Sequence, residues 1–299
     1  MKVLSPRQLA HAIGVSESSL KRWADEGQIK VSRTSGGHRR IPLVEAIRFI
    51  RETRATVVKP EILGLQEVAA IQARRLSSED ELAAFTTYLK EGRDAEARGL
   101  FMSAYLEGRG IADLAQDLVQ PALEHIGEIW KHGAEGIFIE HRATDICIQA
   151  VSQLRLMQET SPEAPVAVGG APSGDVYILP SLLSAAVLAG EGFRAINLGA
   201  DSPADALVLA AREYNASLGW LSVSVHQDPR ELDALVREIA QGLESLDAML
   251  IVGGRVLEEF ELPTLPNVHY AEFMTELVAL ARGLKSRRGA RELAGDERI

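Results

Sequence analysis

The chain has 299 residues and a formal net charge of −10, with 46% hydrophobic and 25% charged residues, a composition that excludes a disordered or fibrous protein. Its length suggests two or three domains of roughly 100–200 residues, and no run approaches the roughly 18 apolar residues of a membrane span. The single cysteine, Cys147, excludes an intrachain disulfide and any zinc site built on several thiolates. The start, Met1 to Pro6, enters a charged helical pattern with no apolar signal segment, so a cytoplasmic protein without a membrane partner is expected. Charge is uneven along the chain. Residues 1–54 hold eleven Lys and Arg against five acids, a surplus of six, and the other 245 residues carry −16. A basic head on an acidic body points to a polyanion-binding unit joined to something else.

Residues 5–26 read as two short helices. Ser5 caps the first with Pro6 at its first position, Gly14-Val15 makes the turn, and Ser16 caps the second. Leu9, Ala12 and Ile13, then Val15, Leu20 and Trp23, supply the apolar contacts of a helix-turn-helix. The second helix exposes Glu17, Ser18, Lys21 and Arg22 to base edges and phosphates. Val31 to Ile41 then reads as a strand-turn-strand wing with glycines at its tip, in which Arg33, Ser35, His38, Arg39 and Arg40 face phosphate oxygens. The helix-turn-helix, Trp23, Gly27 and the ribbon SGGHRRI resemble the winged-helix domain of the MerR family. That resemblance implies recognition helices in two major grooves, wings on the flanking backbone, and a near-palindromic or repeated operator. MerR activators continue into a long dimerisation helix. Here Ile47 to Arg54 ends the head and Lys59-Pro60 breaks the chain, so self-association into a dimer or tetramer must come from the body.

From Glu61 to about Gln158 the pattern is helical. Gly92, Gly108-Arg109-Gly110 and Gly133 to Gly136 punctuate it into roughly four helices, with a bundle stripe in Ile111 to Val119 continuing through Pro121. From Pro165 onward, short β-rich runs alternate with helical stretches. The predicted strands are Val166–Val168, Ala195–Leu198, Leu218–Val225, Met249–Val252 and Val268–Tyr270. The predicted helices are Ile178–Ala189, Ala204–Tyr214, Arg230–Leu243, Arg255–Phe260 and Met274–Leu284, followed by a polar, fraying tail from Ser286. This alternation predicts a five-stranded doubly wound parallel sheet of the Rossmann or flavodoxin kind, with ligands beyond the carboxyl ends of the strands. The expected fold class is multi-domain α plus α/β. The expected domains are a winged-helix DNA-binding head at 1–70, a four-helix bundle at 71–160, an α/β domain at 161–285 and a polar tail at 286–299.

Four glycine- and serine-containing turns sit at the predicted strand ends: Gly169 to Asp175, Leu198 to Pro203, Ser222 to Ser224, and Val252 to Arg255. A bundle followed by this sheet resembles the cobalamin-binding module, and with the head it is similar to the light-sensing, CarH-like repressors of MerR type. The most specific match is Trp130, nine residues, then Glu140-His141. The resemblance implies that these cover the upper face of the corrin ring, and that Ser222, Ser224, Gly253 and Gly254 belong to the pocket of the nucleotide tail. The sheet departs from the family pattern D-x-H-x-x-G: Asp175 is present, Tyr177 stands at the histidine position, and Pro180 replaces the glycine. Imidazole is a good cobalt ligand; a phenol with a pKa of about 10 is a poor one. The histidine-on mode is therefore closed, and loss of the glycine reshapes the turn through which the tail would descend.

Three readings stand. A corrinoid such as adenosylcobalamin binds without a protein lower ligand. Another tetrapyrrole takes the cavity: heme with His141, His226 or the Tyr177 phenolate as axial ligand, or a bilin such as biliverdin attached or stacked near Cys147. The third reading is a ligand-free structural module. His226-Gln227-Asp228 follows the third strand and either touches a ligand or caps the next helix through Asp228. No nucleophile with its base, paired-carboxylate site or Walker-type loop is present, and no barrel domain accompanies the module, so catalysis is not expected. The expected function is a DNA-binding repressor gated by a tetrapyrrole and responsive to light through a change of oligomeric state. The alternative is the same head governed without light by heme, a bilin or another metabolite, or joined to a ligand-free sensor module.

Overall fold

The computed structural model describes residues 2–69, 71, 77–129, 134–226, 228–257 and 263–296. They fall into two compact units, Met1–Glu159 and Thr160–Ile299.

The first unit opens with strand β1 (Val3–Leu4) and helices α1 (Pro6–Ala12) and α2 (Glu17–Asp25). Ser5 caps α1 in a reciprocal box: its hydroxyl accepts from the Gln8 N–H, and Gln8 Oε1 accepts from the Ser5 N–H at 2.8 Å. Ser16 caps α2 by accepting from Ser19 N–H at 3.1 Å, and Gly14 makes the turn at φ 69°. Leu9, Ala12 and Leu20 close the contact between the two helices. Strands β2 (Ser32–Arg33) and β3 (Arg39–Pro42) form the wing, and β3 also pairs with β1, giving an antiparallel sheet in the order β1-β3-β2. The wing tip closes through Thr34 N–H to His38 O at 3.0 Å, with Gly37 at φ 77°.

Helix α3 (Leu43–Thr53) buries Ala46, Ile47, Phe49 and Ile50 and leads to the short helices α4 (Pro60–Leu63) and α5 (Gln66–Ala69). Pro60 opens α4, where its missing N–H costs nothing. Four bundle stretches follow: α6 (Ser78–Glu91), α7 (Asp94–Leu106), α8 (Ile111–Leu114) running through a wide turn into α9 (Gln120–Ile129), and α10 (Ala134–Arg155). The wide turn, Ala115–Val119, is π-helical, and Gln120 N–H reaches five residues back to Ala115 O. Pro121 explains it: a proline clashes with the carbonyl four residues before it, and widening the turn relieves the crowding. Phe85, Leu89, Phe101, Leu114, Ile126, Val151 and Leu154 fill the bundle core.

Head and bundle pack as one body. The Arg51 guanidinium of α3 lies 3.6 Å from the centre of the Tyr105 ring at the end of α7. Its Nη1 donates to the carbonyls of Tyr105 and Arg109, the latter at 3.1 Å. Burial pushes the Arg51 pKa below its ordinary value and the Tyr105 pKa above.

The second unit contains β4 (Val166–Pro172), α11 (Ile178–Gly190), β5 (Arg194–Ser202), α12 (Ala204–Glu213), β6 (Leu218–Ser222), α13 (Pro229–Glu244), β7 (Met249–Gly253), β8 (Val268–Ala271) and α14 (Met274–Asp296). All strand pairs are parallel, in the order β5-β4-β6-β7-β8. The connections from β4 and from β5 leave in opposite directions across the sheet, so the switch point lies between β4 and β6, where open α/β sheets bind ligands. Among the described residues, no helix is long and apolar enough to cross a membrane.

Strands β4 and β5 run on to Pro172 and Ser202, through residues expected in turns, and three further elements end more than one residue from the sequence expectation. Strand β6 stops at Ser222 and not Val225, because the Ser224 and Val225 N–H groups turn to the Asp175 carboxylate. The stretch predicted as a helix over Arg255–Phe260 is a turn as far as Leu257, and 258–262 lie outside the described residues. Helix α14 runs past Leu284 to Asp296, since Arg, Ala, Glu and Leu remain good helix formers whatever their polarity.

Replacing Arg51 by Ala removes the donor to two part-buried carbonyls and the cation over Tyr105. The expected loss is about 2 kcal/mol, read as a lower urea midpoint of the helical unit with the sheet unit unchanged.

Candidate functional site

The head gathers its cations around a groove of about 600 Å³. It is lined by Ser5, Pro6, Arg7, Glu17, Lys21, Arg33, Gly37, His38, Arg39 and Arg40. Ser18, Lys21, Arg22, Arg33, Ser35 and His38 are exposed, and Arg39 and Arg40 are half-buried. The cations differ in availability. Lys21 pairs with Glu17 at 2.9 Å, which holds the Glu17 carboxyl below the usual carboxylate range, and Arg22 lies 3.8 Å from Glu26. Arg39 is a clasp: Nη2 donates to Asp25 and Nη1 to Lys21 O, tying the wing to α2. Among the described residues, Arg7, Arg33 and Arg40 make no ion pair, which leaves their charge for phosphates. Arg7 had no signal in the sequence beyond being a cation in the first turn of α1; the fold brings it beside the wing. Trp23 packs against Phe49 with ring centres 5.4 Å apart, fixing α2 on α3.

The carboxyl edge of the sheet is organised by Asp175, which is fully buried. Its Oδ1 accepts from Tyr177 N–H at 3.0 Å, and its Oδ2 from Ser224 N–H at 2.5 Å and Val225 N–H at 3.3 Å. Its carbonyl accepts from Asp201 N–H at 2.9 Å, while Asp201 Oδ1 accepts from Gly174 N–H at 2.8 Å. One residue thus ties the loops after β4 and β6 to the end of β5. Tyr177 sits at the N-cap of α11 with its ring 40% exposed. The Arg255 guanidinium lies 4.9 Å from that ring's centre, and Arg255 Nε donates to Ser224 O at 3.0 Å. Arg255 stood in the sequence at the end of a predicted turn and the start of a predicted helix, with no signal for this contact. Val176, 71% exposed, joins Tyr177, Ile178 and Leu198 as large apolar side chains facing solvent.

Ser222 and Ser224 are buried, and the Ser222 and Ser184 hydroxyls lie 3.4 Å apart. Gly253 and Gly254 are required as glycines. A Cβ at 254 would lie 2.0 Å from Val223 O at a φ of 132°, and one at 253 would lie 2.9 Å from Ala271 O. His226 is exposed after β6, and Asp228 caps α13 by accepting from Arg230 N–H at 2.8 Å. Trp220, which the sequence showed only as a strand residue, is 2% exposed.

On α10, Glu140 is half-buried and His141 exposed, next to Ile137 (56% exposed) and Phe138 (57% exposed). Arg142 lies 4.7 Å from the Phe138 ring centre and donates through Nη2 to Lys90 O at 2.5 Å. Trp130 lies outside the described residues. Cys147 is buried, and desolvation pushes its thiol up to about 12, so the side chain acts as a small hydrophobe. Among the described residues, no group of three His, Cys, Asp or Glu side chains could hold a metal ion.

Comparison with known proteins agrees with this geometry. The helix-turn-helix domain family matches residues 3–54, and the B12 binding domain family matches residues 81–155. No curated protein matches the chain in sequence. Among solved structures, the monomethylamine corrinoid protein of Methanosarcina barkeri is similar at a TM-score of 0.50 and 16% identity, covering 69% of this chain and 98% of that one. The methanol:cobalamin methyltransferase complex of the same organism gives 0.35 and 13%, covering 72% and 88%. A cobalamin-binding protein from Desulfitobacterium hafniense DCB-2 gives 0.32 and 19%, covering 68% and 98%. The chain therefore joins a helix-turn-helix DNA-binding domain to a B12-binding domain, and the sheet has the corrinoid-protein fold. The B12 binding domain match supports a corrinoid, and heme and bilin have no such support.

Two outcomes follow from the site. Asp175→Asn replaces one acceptor oxygen by an NH₂ group, so amide exchange at Ser224 and Val225 should accelerate while Leu218 to Ser222 stay protected; unchanged exchange would remove Asp175 as the organiser. Cys147, buried and with its thiol kept protonated by desolvation, should resist iodoacetamide until the chain is unfolded in urea.

Proposed function

We propose that the chain is a transcriptional repressor whose grip on DNA is governed by a bound corrinoid, and that light acts on it through a change of oligomeric state. One observation carries the reading. The helix-turn-helix domain and the B12-binding bundle form a single compact unit, joined through Arg51, Tyr105 and Arg109. A DNA-binding surface so tightly joined to a ligand domain fits a regulator better than a corrinoid carrier for an enzyme.

The fit to a corrinoid is partial. The exposed apolar group Val176, Tyr177, Ile178 and Leu198 on the sheet edge suits the face of a flat macrocycle, and Ile137, Phe138 and His141 offer a comparable exposed group on α10. No imidazole stands at position 177 to ligate a cobalt from below. When bound, the macrocycle supplies absorption of visible light. The protein's part is to present Arg7, Arg33 and Arg40 to phosphates, to hold the wing with Arg39 and Asp25, and to deliver several heads together. Linking heads raises the effective concentration of the second at its half-site. Ligand state can change that number only if it binds the two assemblies with different affinity.

The test begins with an operator recovered from a pool of random duplexes by the full chain. Binding and sedimentation are then followed with and without adenosylcobalamin, in darkness and under illumination. The reading predicts that illumination of the loaded chain alters both oligomeric state and operator affinity. Identical behaviour in all four conditions would overturn it, and a change with ligand but not with light would leave a dark metabolite sensor. On the same duplexes, Arg33→Ala and Arg40→Ala should each weaken binding to every sequence and reduce the slope of log affinity against log salt by about one. Arg39→Ala should instead speed amide exchange across the wing, residues 32–40.

A further inference from the structure

We infer that the sheet unit has no slot for a nucleotide tail, because Trp220 fills it, and that a corrinoid is held here by its ring alone, with or without its nucleotide. The inference rests on the corrinoid reading above and narrows the ligand it takes.

The pleat of β6 places Trp220 and Ser222 on one side of the sheet. Residues two apart on a strand share a face, and both Trp220 and Ser222 reach α11: the Trp220 indole N–H donates to Ser181 Oγ at 3.1 Å, and the Ser222 hydroxyl lies 3.4 Å from that of Ser184. A tail passing Ser222 along this face would next meet the place that the Trp220 ring holds. The room for that ring comes from the neighbouring strand. Gly169 is the register partner of Trp220, and a Cβ added there would lie 2.1 Å from Cδ2 of the indole and 2.5 Å from its Cγ. The same Cβ would lie 2.3 Å from the Trp220 carbonyl oxygen, so both the backbone and the ring at 220 require a glycine here.

The polar groups on the path are closed as well. Ser181 Oγ, which accepts from the indole, donates in turn to Asn197 Oδ1 at 2.7 Å, and that oxygen also accepts from Gly199 N–H at 3.1 Å. These three bonds satisfy one another inside the protein, so an entering ligand would have to break them without offering equivalents. The shapes coincide too. The nucleotide of cobalamin ends in dimethylbenzimidazole, a fused five- and six-membered bicycle like indole. Trp220 therefore occupies the volume such a base would need. Tyr177 and Pro180, in place of the family's histidine and glycine, belong to the same departure: with no ligand from below and a reshaped entry turn, the sheet has no use for a withdrawn tail.

The decisive measurement is the affinity of the full chain for adenosylcobinamide, which lacks the nucleotide, against adenosylcobalamin. Affinities within about threefold of each other are expected, and an advantage of about tenfold or more for adenosylcobalamin would overturn the inference. If neither corrinoid binds, the corrinoid reading itself fails. The slot is then judged with free 5,6-dimethylbenzimidazole and no corrin. Trp220→Ala should open a cavity that this base fills, seen as a raised melting temperature, or as recovery of the fold if the variant alone is unfolded, while the unsubstituted chain gains nothing. A variant indifferent to the base, or an unsubstituted chain stabilised by it, would show that Trp220 closes no such slot.

Discussion

Burying a carboxylate at the edge of a sheet is costly unless donors surround it, and Asp175 is held by three backbone N–H groups from two loops. Much of the candidate site follows from that arrangement. The N–H of Tyr177 is one of the orphan donors at the start of α11, so Asp175 serves the helix as well as itself. The N–H groups of Ser224 and Val225 are those that would have continued β6, and their capture ends the strand two residues after Trp220. That termination frees the Ser224 carbonyl for Arg255, whose guanidinium then lies against the Tyr177 ring. A single buried acceptor thereby sets where the strand stops, where the helix starts and which aromatic ring lies at the mouth.

The head is governed by a different economy of charge. Its surplus of six positive charges is not spread evenly over the surface that faces DNA. The acids of α2 and its C-cap neutralise particular cations in place: Glu17 with Lys21, Glu26 with Arg22, Asp25 with Arg39. Exposed pairs of this sort contribute little to stability. Their consequence is geometric: the Arg39–Asp25 pair ties the wing to α2, the other two pairs lie within α2 and its C-cap, and Arg7, Arg33 and Arg40 make no ion pair among the described residues. The same residue type in one short segment therefore serves positioning at some places and electrostatic attraction at others.

Sequence periodicity revealed the element order because each element buries one face or both, and that burial writes a period of two or 3.6 into the chain. The caps at Ser5, Ser16 and Asp228 were legible for the same local reason. What was not legible depends on partners far along the chain. The end of β6 is set by a carboxylate some fifty residues earlier. Arg39 read as a phosphate contact because nothing local reveals Asp25 folded against it. Trp220 passed as an ordinary β-favouring residue, although its glycine partner Gly169 stood in plain view at the end of a predicted strand. A large aromatic residue and a glycine at facing positions of neighbouring strands form one packing unit, but only the register shows that they face.

The joint at Arg51 bears on how such a molecule can be regulated. A guanidinium that is buried, stacked on a ring and shared by two carbonyls is not a flexible tether. The carbonyls it holds lie at the end of α7 and in the loop before α8, so a rearrangement at that corner of the bundle either carries α3 with it or breaks the contact. Packed elements of this kind change between discrete arrangements, and a ligand can favour one of them only to the extent that it binds that arrangement more tightly. Shifting the balance from one part in a hundred to ninety-nine takes about 5.5 kcal/mol of such preference. Within the sheet unit, exposed apolar side chains such as Val176 and Tyr177 offer surface for such a preference, whereas the small hydroxyls of Ser222 and Ser224 are buried.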